Sequence, residues 1–152
     1  MVIMMQSAIG VGYEGQTIDS FLTRLRLRDV KTVVDVRLTP LSRKRGFSKR
    51  ALAEVLDANG IAYLHLPQLG NPKDNRDGFG SVSSPEGLLA RERYVALLET
   101  EAAGEAVDRV VDELRQGTVA LLCFEADEAH CHRHEVLEAI RARQNQLALQ
   151  PV

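Results

Sequence analysis

The richest run of reactive side chains is Cys123-Phe124-Glu125-Ala126-Asp127-Glu128-Ala129-His130-Cys131-His132-Arg133-His134. It offers two thiols, three imidazoles, three carboxylates and one guanidinium. Three chemistries fit it. Cys131, at the start of a helix and beside cations, would be ionised by the helix dipole and act as a nucleophile. Alternatively, a metal would take some of Cys123, Cys131, His130 and His134, the two histidines being four apart on one helical face. In the third arrangement Cys123 ends a buried strand, Cys131 packs under the helix, and His132 and Arg133 give hydrogen bonds to an anion or to Glu125. There is no CxxC pair and no zinc-finger spacing, so neither a tightly bound structural metal nor a disulfide is expected. A phosphatase-type Cys-x5-Arg loop would need arginine at position 129, which is Ala129, and no arginine follows before Arg133. That argues against a tyrosine-phosphatase or rhodanese mechanism.

A second group lies upstream. Residues 22–50 carry ten of the nineteen Lys and Arg residues, opposed only by Asp29 and Asp35. From Arg37 to Arg50 there are six basic residues and no acid. This segment leads into a helix start, where free N–H groups favour anions. Arg37, Arg43 and Lys44 are therefore candidate contacts for phosphate or nucleic acid. The alternative is a solvated loop that keeps the chain soluble.

Asp35 sits inside Val33-Val34-Asp35-Val36-Arg37, and an acid there must be paired or hydrogen-bonded. It is either a structural partner of arginine and backbone N–H groups or a general base. His65 has the same two readings, hydrogen-bonded support or catalysis. The run Gly10-Val11-Gly12-Tyr13-Glu14-Gly15 lacks the full GxGxxG pattern and is not read as a nicotinamide site. The sequence names no cofactor.

These residues need positions. Ser7 to Gly12, Lys31 to Val36, Ile61 to Leu66 and Val119 to Phe124 are short apolar runs that read as buried strands. Thr17 and Ser48 are candidate helix caps before the stripes Ile18, Phe21, Leu22, Leu25 and Leu52, Val55, Leu56. Asn59-Gly60 reads as a helix end. Pro85 to Thr100 and Glu105 to Gln116 read as helices broken near Gly104, and His130 to Gln146 as the last. Pro67 to Glu86 shows no period and reads as an unstructured lid or binding loop.

Strands alternating with helices predict a three-layer α/β fold, Rossmann-like, with a mainly parallel sheet of at least four strands flanked by helices. A chain of 152 residues fits one such domain, with a core of about residues 8–146. Ligands of such sheets sit beyond the carboxyl ends of the strands. Tyr13, Asp35, Arg37, His65, Cys123, Glu125 and Arg133 are thus expected around one cleft. Asp35, His65, Glu125 and Cys123 would act as catalytic groups. Tyr13, Arg37, Arg43, Lys44, His132 and Arg133 would hold the anion.

Composition narrows the class. Hydrophobic residues make up 45% and charged residues 26%, values that exclude a disordered or collagen-like chain. A net charge of -2 excludes a globally basic nucleic-acid binder, though not a local basic face. Two cysteines fit a reducing, cytoplasmic setting. Neither a signal peptide nor a membrane-spanning run is read.

Ile9-Gly10-Val11-Gly12-Tyr13-Glu14-Gly15, Val34-Asp35-Val36-Arg37 with Pro40, Ser42-Arg43 and Gly46-Phe47-Ser48 form a recognisable set. Tyr63-Leu64-His65-Leu66-Pro67 with Leu69-Gly70, Leu122-Cys123-Phe124-Glu125 and Cys131-His132-Arg133 continue it. Over about residues 8–140 the chain resembles the DUF488 family, a domain of unknown function. It departs from the family pattern at Ala8, where the family typically has Thr before Ile-Gly. The resemblance implies an α/β fold and a shared site at these motifs, and no particular reaction. Two functions remain open: an enzyme acting on a phosphorylated or nucleotide-like substrate, and a non-catalytic module binding nucleic acid or nucleotide.

Overall fold

The computed structural model describes residues 7–79, 83–126 and 131–149. Four strands form one sheet: β1 (Ala8–Gly12), β2 (Val30–Asp35), β3 (Ala62–His65) and β4 (Thr118–Cys123). Their spatial order is β1-β4-β2-β3, and every neighbouring pair is parallel. The helices are α1 (Ile18–Leu27), α2 (Lys49–Ala58), α3 (Arg76–Phe79), α4 (Pro85–Leu98), α5 (Glu101–Leu114) and α6 (Arg133–Leu149).

Strand alternation divides the core into two layers. Val33, Ala120 and Leu122 pack with Phe21, Leu22 and Leu25 of α1 and with Leu52 and Leu56 of α2. Val34, Val119 and Leu121 pack with Tyr94 of α4, Val110 and Leu114 of α5, and Val136 and Ile140 of α6. The result is the expected three-layer α/β arrangement. Among the described residues no helix is long and apolar enough to cross a membrane.

Local chemistry sets the helix ends. Thr17 caps α1 in a reciprocal box, its Oγ1 accepting from Ser20 N at 3.1 Å while its own N–H donates to Ser20 Oγ. Ser48 occupies the cap position of α2 without a capping bond; its hydroxyl instead accepts from Ser42 N at 3.0 Å and braces the basic loop. Gly60, with φ of +72°, turns the chain out of α2.

Two expectations are corrected. The break between α4 and α5 lies at Glu99 and Thr100, because Thr100 Oγ1 caps α5 through Ala103 N; Gly104 is inside the helix. The segment from Pro67 to Glu86 is not structureless. It contains 3₁₀ turns at Pro67–Leu69 and Lys73–Asn75 and then α3. Asn75, buried, ties this segment down by donating to Asn71 Oδ1 and to Ala90 O. Residues 80–82 of that segment lie outside the described residues, as does His130, where the last helix was expected to start.

Candidate functional site at the strand ends

In a parallel sheet all carboxyl ends share one edge. Here Gly12 is in register with Cys123, and Asp35 with both Leu122 and His65. The residues that follow these positions enclose a cavity of about 270 Å³. Tyr13, Arg37, Cys123, Phe124, Glu125, Cys131 and His132 line it, with Asn71, Arg76 and Phe79 from the far wall.

Gly12 allows the close approach on which the site depends. A Cβ there would stand 1.9 Å from the Glu125 carbonyl oxygen. Glu14 N–H donates to Phe124 O, and Ala126 N–H donates to Glu14 Oε1, so the turn after β4 lies directly on the end of β1. Arg133, fully buried, donates from Nη2 to Glu125 O at 2.5 Å. Its Nε and Nη1 have no partner among the described residues.

On the floor, His132 is oriented by its ring. Its Nε2 lies 2.8 Å from the carbonyl oxygen of Val36, which only accepts, so Nε2 carries the hydrogen. The lone pair of the neutral ring is therefore on Nδ1. Nδ1 faces Cys131 Sγ at 3.5 Å and Cys123 Sγ at 3.9 Å. The Tyr94 ring meets the imidazole edge-on at 5.2 Å, and Tyr94 O–H donates to Leu69 O.

Both thiols are free and buried. Hydrogen bonding from Cys131 holds the Cys123 thiol well below its ordinary pKa, against the effect of burial and with help from His132. Burial, and then donation to the Cys123 thiolate, push Cys131 up. Burial, followed by the Cys123 charge, also raises Glu125. Cys123 Sγ and Glu125 Oε2 stand 3.2 Å apart, so the two groups can share a proton. The thiol favoured as thiolate is thus Cys123, at the strand end, and not Cys131.

Arg37 is committed to its own neighbours. Its Nε and Nη2 form a fork onto the two oxygens of Asp35 at 2.9 and 2.7 Å, and its Nη1 donates to Phe47 O and Tyr13 O–H oxygen. Asp35, with no exposed surface, also accepts from Arg37 N and from Tyr63 O–H. Burial lowers and the Asp35 contact more than restores the Arg37 pKa, which ends above its usual value. Burial and then Asp35 raise that of Tyr63. His65 Nε2–H donates to Arg37 O at 2.8 Å.

Of the seven residues expected around one cleft, Tyr13, Arg37, Cys123 and Glu125 line it. Asp35, His65 and Arg133 stand behind it, bonded to residues of the wall. His132 lies in the floor. Arg43 and Lys44 do not border the cavity; Lys44 flanks a separate hollow with Gly15, Gln16, Thr17, Ile18 and Arg45.

The sequence model described as "Domain of unknown function DUF488" matches residues 17–140. The chain belongs to the DUF488 family. No curated protein and no solved structure matches it. The match to the DUF488 family ends within α6 and includes β2, β3, β4 and the whole cysteine–histidine cluster.

Sequence reasoning did not single out Asn71, Arg76 or Phe79. Their one signal was membership of the Gly- and Pro-rich segment read as a binding loop. Arg76 donates from Nε to Asn71 O, which turns it along the cavity wall.

Proposed function

We propose that this DUF488 protein is an enzyme acting on a phosphorylated or nucleotide-like anionic substrate, in the cavity at the carboxyl ends of the strands, with Cys123 as nucleophile. The orientation of His132 carries the reading. A nucleophile needs a base whose lone pair points at it and a third group that holds the base in place. Nδ1 of His132 faces the sulfurs while Val36 O holds Nε2.

In the reaction His132 Nδ1 takes the Cys123 proton, and the Sγ thiolate attacks the electrophilic atom of the substrate. The bond to sulfur forms as the bond to the leaving group breaks, and the Glu125 proton passes to the leaving group. Water then attacks the sulfur-bound intermediate and returns a proton to Glu125, freeing the thiolate. Arg76, on the cavity wall, takes the anionic group of the substrate. Asp35 and His65 act as positioning residues through Arg37, and Arg133 positions Glu125. The reduced thiols this chemistry requires fit the cytoplasm.

The test is intact-protein mass after acid quench with a panel of nucleotides and phosphorylated metabolites. A substrate-derived adduct on Cys123, absent from Cys123→Ser, supports the proposal. Full turnover by Cys123→Ser rejects it.

A second reading rests on the basic loop. Arg43 and Arg45 are exposed, and with Lys44 they lie apart from the cavity beside the start of α1. A non-catalytic nucleic-acid or nucleotide-binding module would use this face. Oligonucleotide binding that survives alkylation of both thiols but not alanine at positions 43, 44 and 45 favours it.

A further inference from the structure

Three potential donor atoms meet on the cavity floor, Cys123 Sγ, Cys131 Sγ and His132 Nδ1, and Glu125 Oε2 lies against the first of them. The two sulfurs and the nitrogen lie within 4.8 Å of one another, and all three residues are buried. The sulfur-to-nitrogen separations are 3.5 and 3.9 Å, and Glu125 Oε2 is 3.2 Å from Cys123 Sγ. A tetrahedral zinc ion, with bonds of about 2.3 Å to sulfur and about 2.0 Å to nitrogen, requires a sulfur-to-nitrogen edge of about 3.5 Å. The Cys131 edge, at 3.5 Å, has that length, and the Cys123 edge, at 3.9 Å, is somewhat longer. A single S–H···N bond would bring one sulfur near the ring; here both sulfurs share one lone pair.

The surroundings agree. A metal-bound histidine characteristically gives its other N–H to a carbonyl or carboxylate, which fixes its tautomer. His132 does so with Val36 O. The Tyr94 ring fixes the plane of the imidazole. The cavity supplies an entry path to the donors.

We propose that Cys123, Cys131 and His132 bind a thiophilic divalent cation of the zinc class, with the fourth position open to the cavity. Cys123 is also the nucleophile proposed above, so the two roles belong to different states of the cluster. The ion takes up the sulfur lone pairs, so the loaded form is a second state of the cluster in which the thiols are protected.

The histidine is not one of those the sequence spacing suggested. His134 is exposed, and His130 lies outside the described residues. The neighbour of Cys131 turns inward because the first turn of α6 begins only at Arg133.

The experiment is a Co²⁺ titration of the full chain after chelator treatment and reduction. The chain has two cysteines, so every thiol counted belongs to the site. The expected result is one equivalent of Co²⁺ with the intense visible bands of tetrahedral coordination and a sulfur-to-cobalt charge-transfer band, both removed by one equivalent of Zn²⁺. Cys131→Ser and His132→Gln should each weaken Zn²⁺ binding more than about tenfold, the least effect seen when even an outer partner of a metal ligand is lost. Circular dichroism checks that each variant is folded. In the unmodified chain saturating Zn²⁺ should slow alkylation of both thiols, a readout that needs no variant. No tetrahedral Co²⁺ spectrum, or Zn²⁺ binding unchanged in folded Cys131→Ser, overturns the metal site. Either result leaves the Cys123 adduct experiment standing by itself.

Discussion

His132 Nε2 stands 2.8 Å from the Val36 carbonyl oxygen, joining the residue before α6 to the residue after β2. This one bond sets which imidazole nitrogen faces the thiols. Glutamine at position 132 retains an N–H for Val36 but presents no ring lone pair to the sulfurs. His132→Gln should therefore keep stability within about 1 kcal/mol and reduce turnover by about 10²–10⁴-fold, the range for loss of a general base. His132→Phe should in addition lose about 1–3 kcal/mol by leaving a buried carbonyl unpaired. Urea unfolding and turnover, measured on both variants, separate the two effects.

The Asp35–Arg37 pair is buried on both sides. Asp35→Ala leaves the guanidinium without its partner and should destabilise the fold by about 3–5 kcal/mol. Tyr63→Phe removes one donor from a carboxylate that keeps three others, and should cost about 1 kcal/mol. Denaturant midpoints test the ranking. An Asp35→Ala protein as stable as the parent would show that the pair is not structural.

Gly12→Ala places a methyl group inside the Glu125 carbonyl. The turn carrying Glu125 must move, at a cost of about 1–3 kcal/mol for overpacking. The rate of Cys123 alkylation should change with it, since Glu125 Oε2 sits against that sulfur. A thermal melt together with thiol-labelling kinetics reads both consequences.

Arg76 and the basic loop should behave differently toward an anionic ligand. Arg76→Ala removes a charged donor from the cavity wall and should weaken binding about tenfold or more, at low and high salt alike. The triple change Arg43→Ala, Lys44→Ala, Arg45→Ala removes charges that border no part of the cavity. Its effect should appear at low ionic strength and fade near the physiological range, where screening acts over about 8 Å. Isothermal titration at two salt concentrations distinguishes them.

The strands were legible because a strand covered on both faces must be continuously apolar, as in Val33-Val34 and Val119 to Leu122. The strand-end rule then gave Tyr13, Arg37, Cys123 and Glu125 as neighbours. The pairing of Asp35 with Arg37 was one of two readings, since residues two apart on a strand share a face. The break near Thr100 was written in its hydroxyl, yet Gly104 is the stronger formal breaker; with nothing near its missing Cβ, a helical glycine costs only about 1 kcal/mol. Arg76, Asn71 and Phe79 were hidden because neither the four-residue α3 nor the turns before it are long enough to show an apolar period. His132 could not be preferred over His130 or His134 from spacing, because its role depends on Val36, a contact across 96 positions in the chain.

The strand order has a consequence for how the molecule is made. Among the described residues β1 has no sheet partner other than β4, so Ala8 waits for Val119 and Gly12 for Cys123. During synthesis β1 stays unpaired until β4 has emerged, and pairing so remote in sequence is slow to close. The same closing event brings Cys123 between Tyr13 and Val36. A chain cut short of β4 lacks both the seam of the sheet and its thiol, so burial of Cys123 marks closure of the sheet, and its loss of labelling read against time serves as a folding clock.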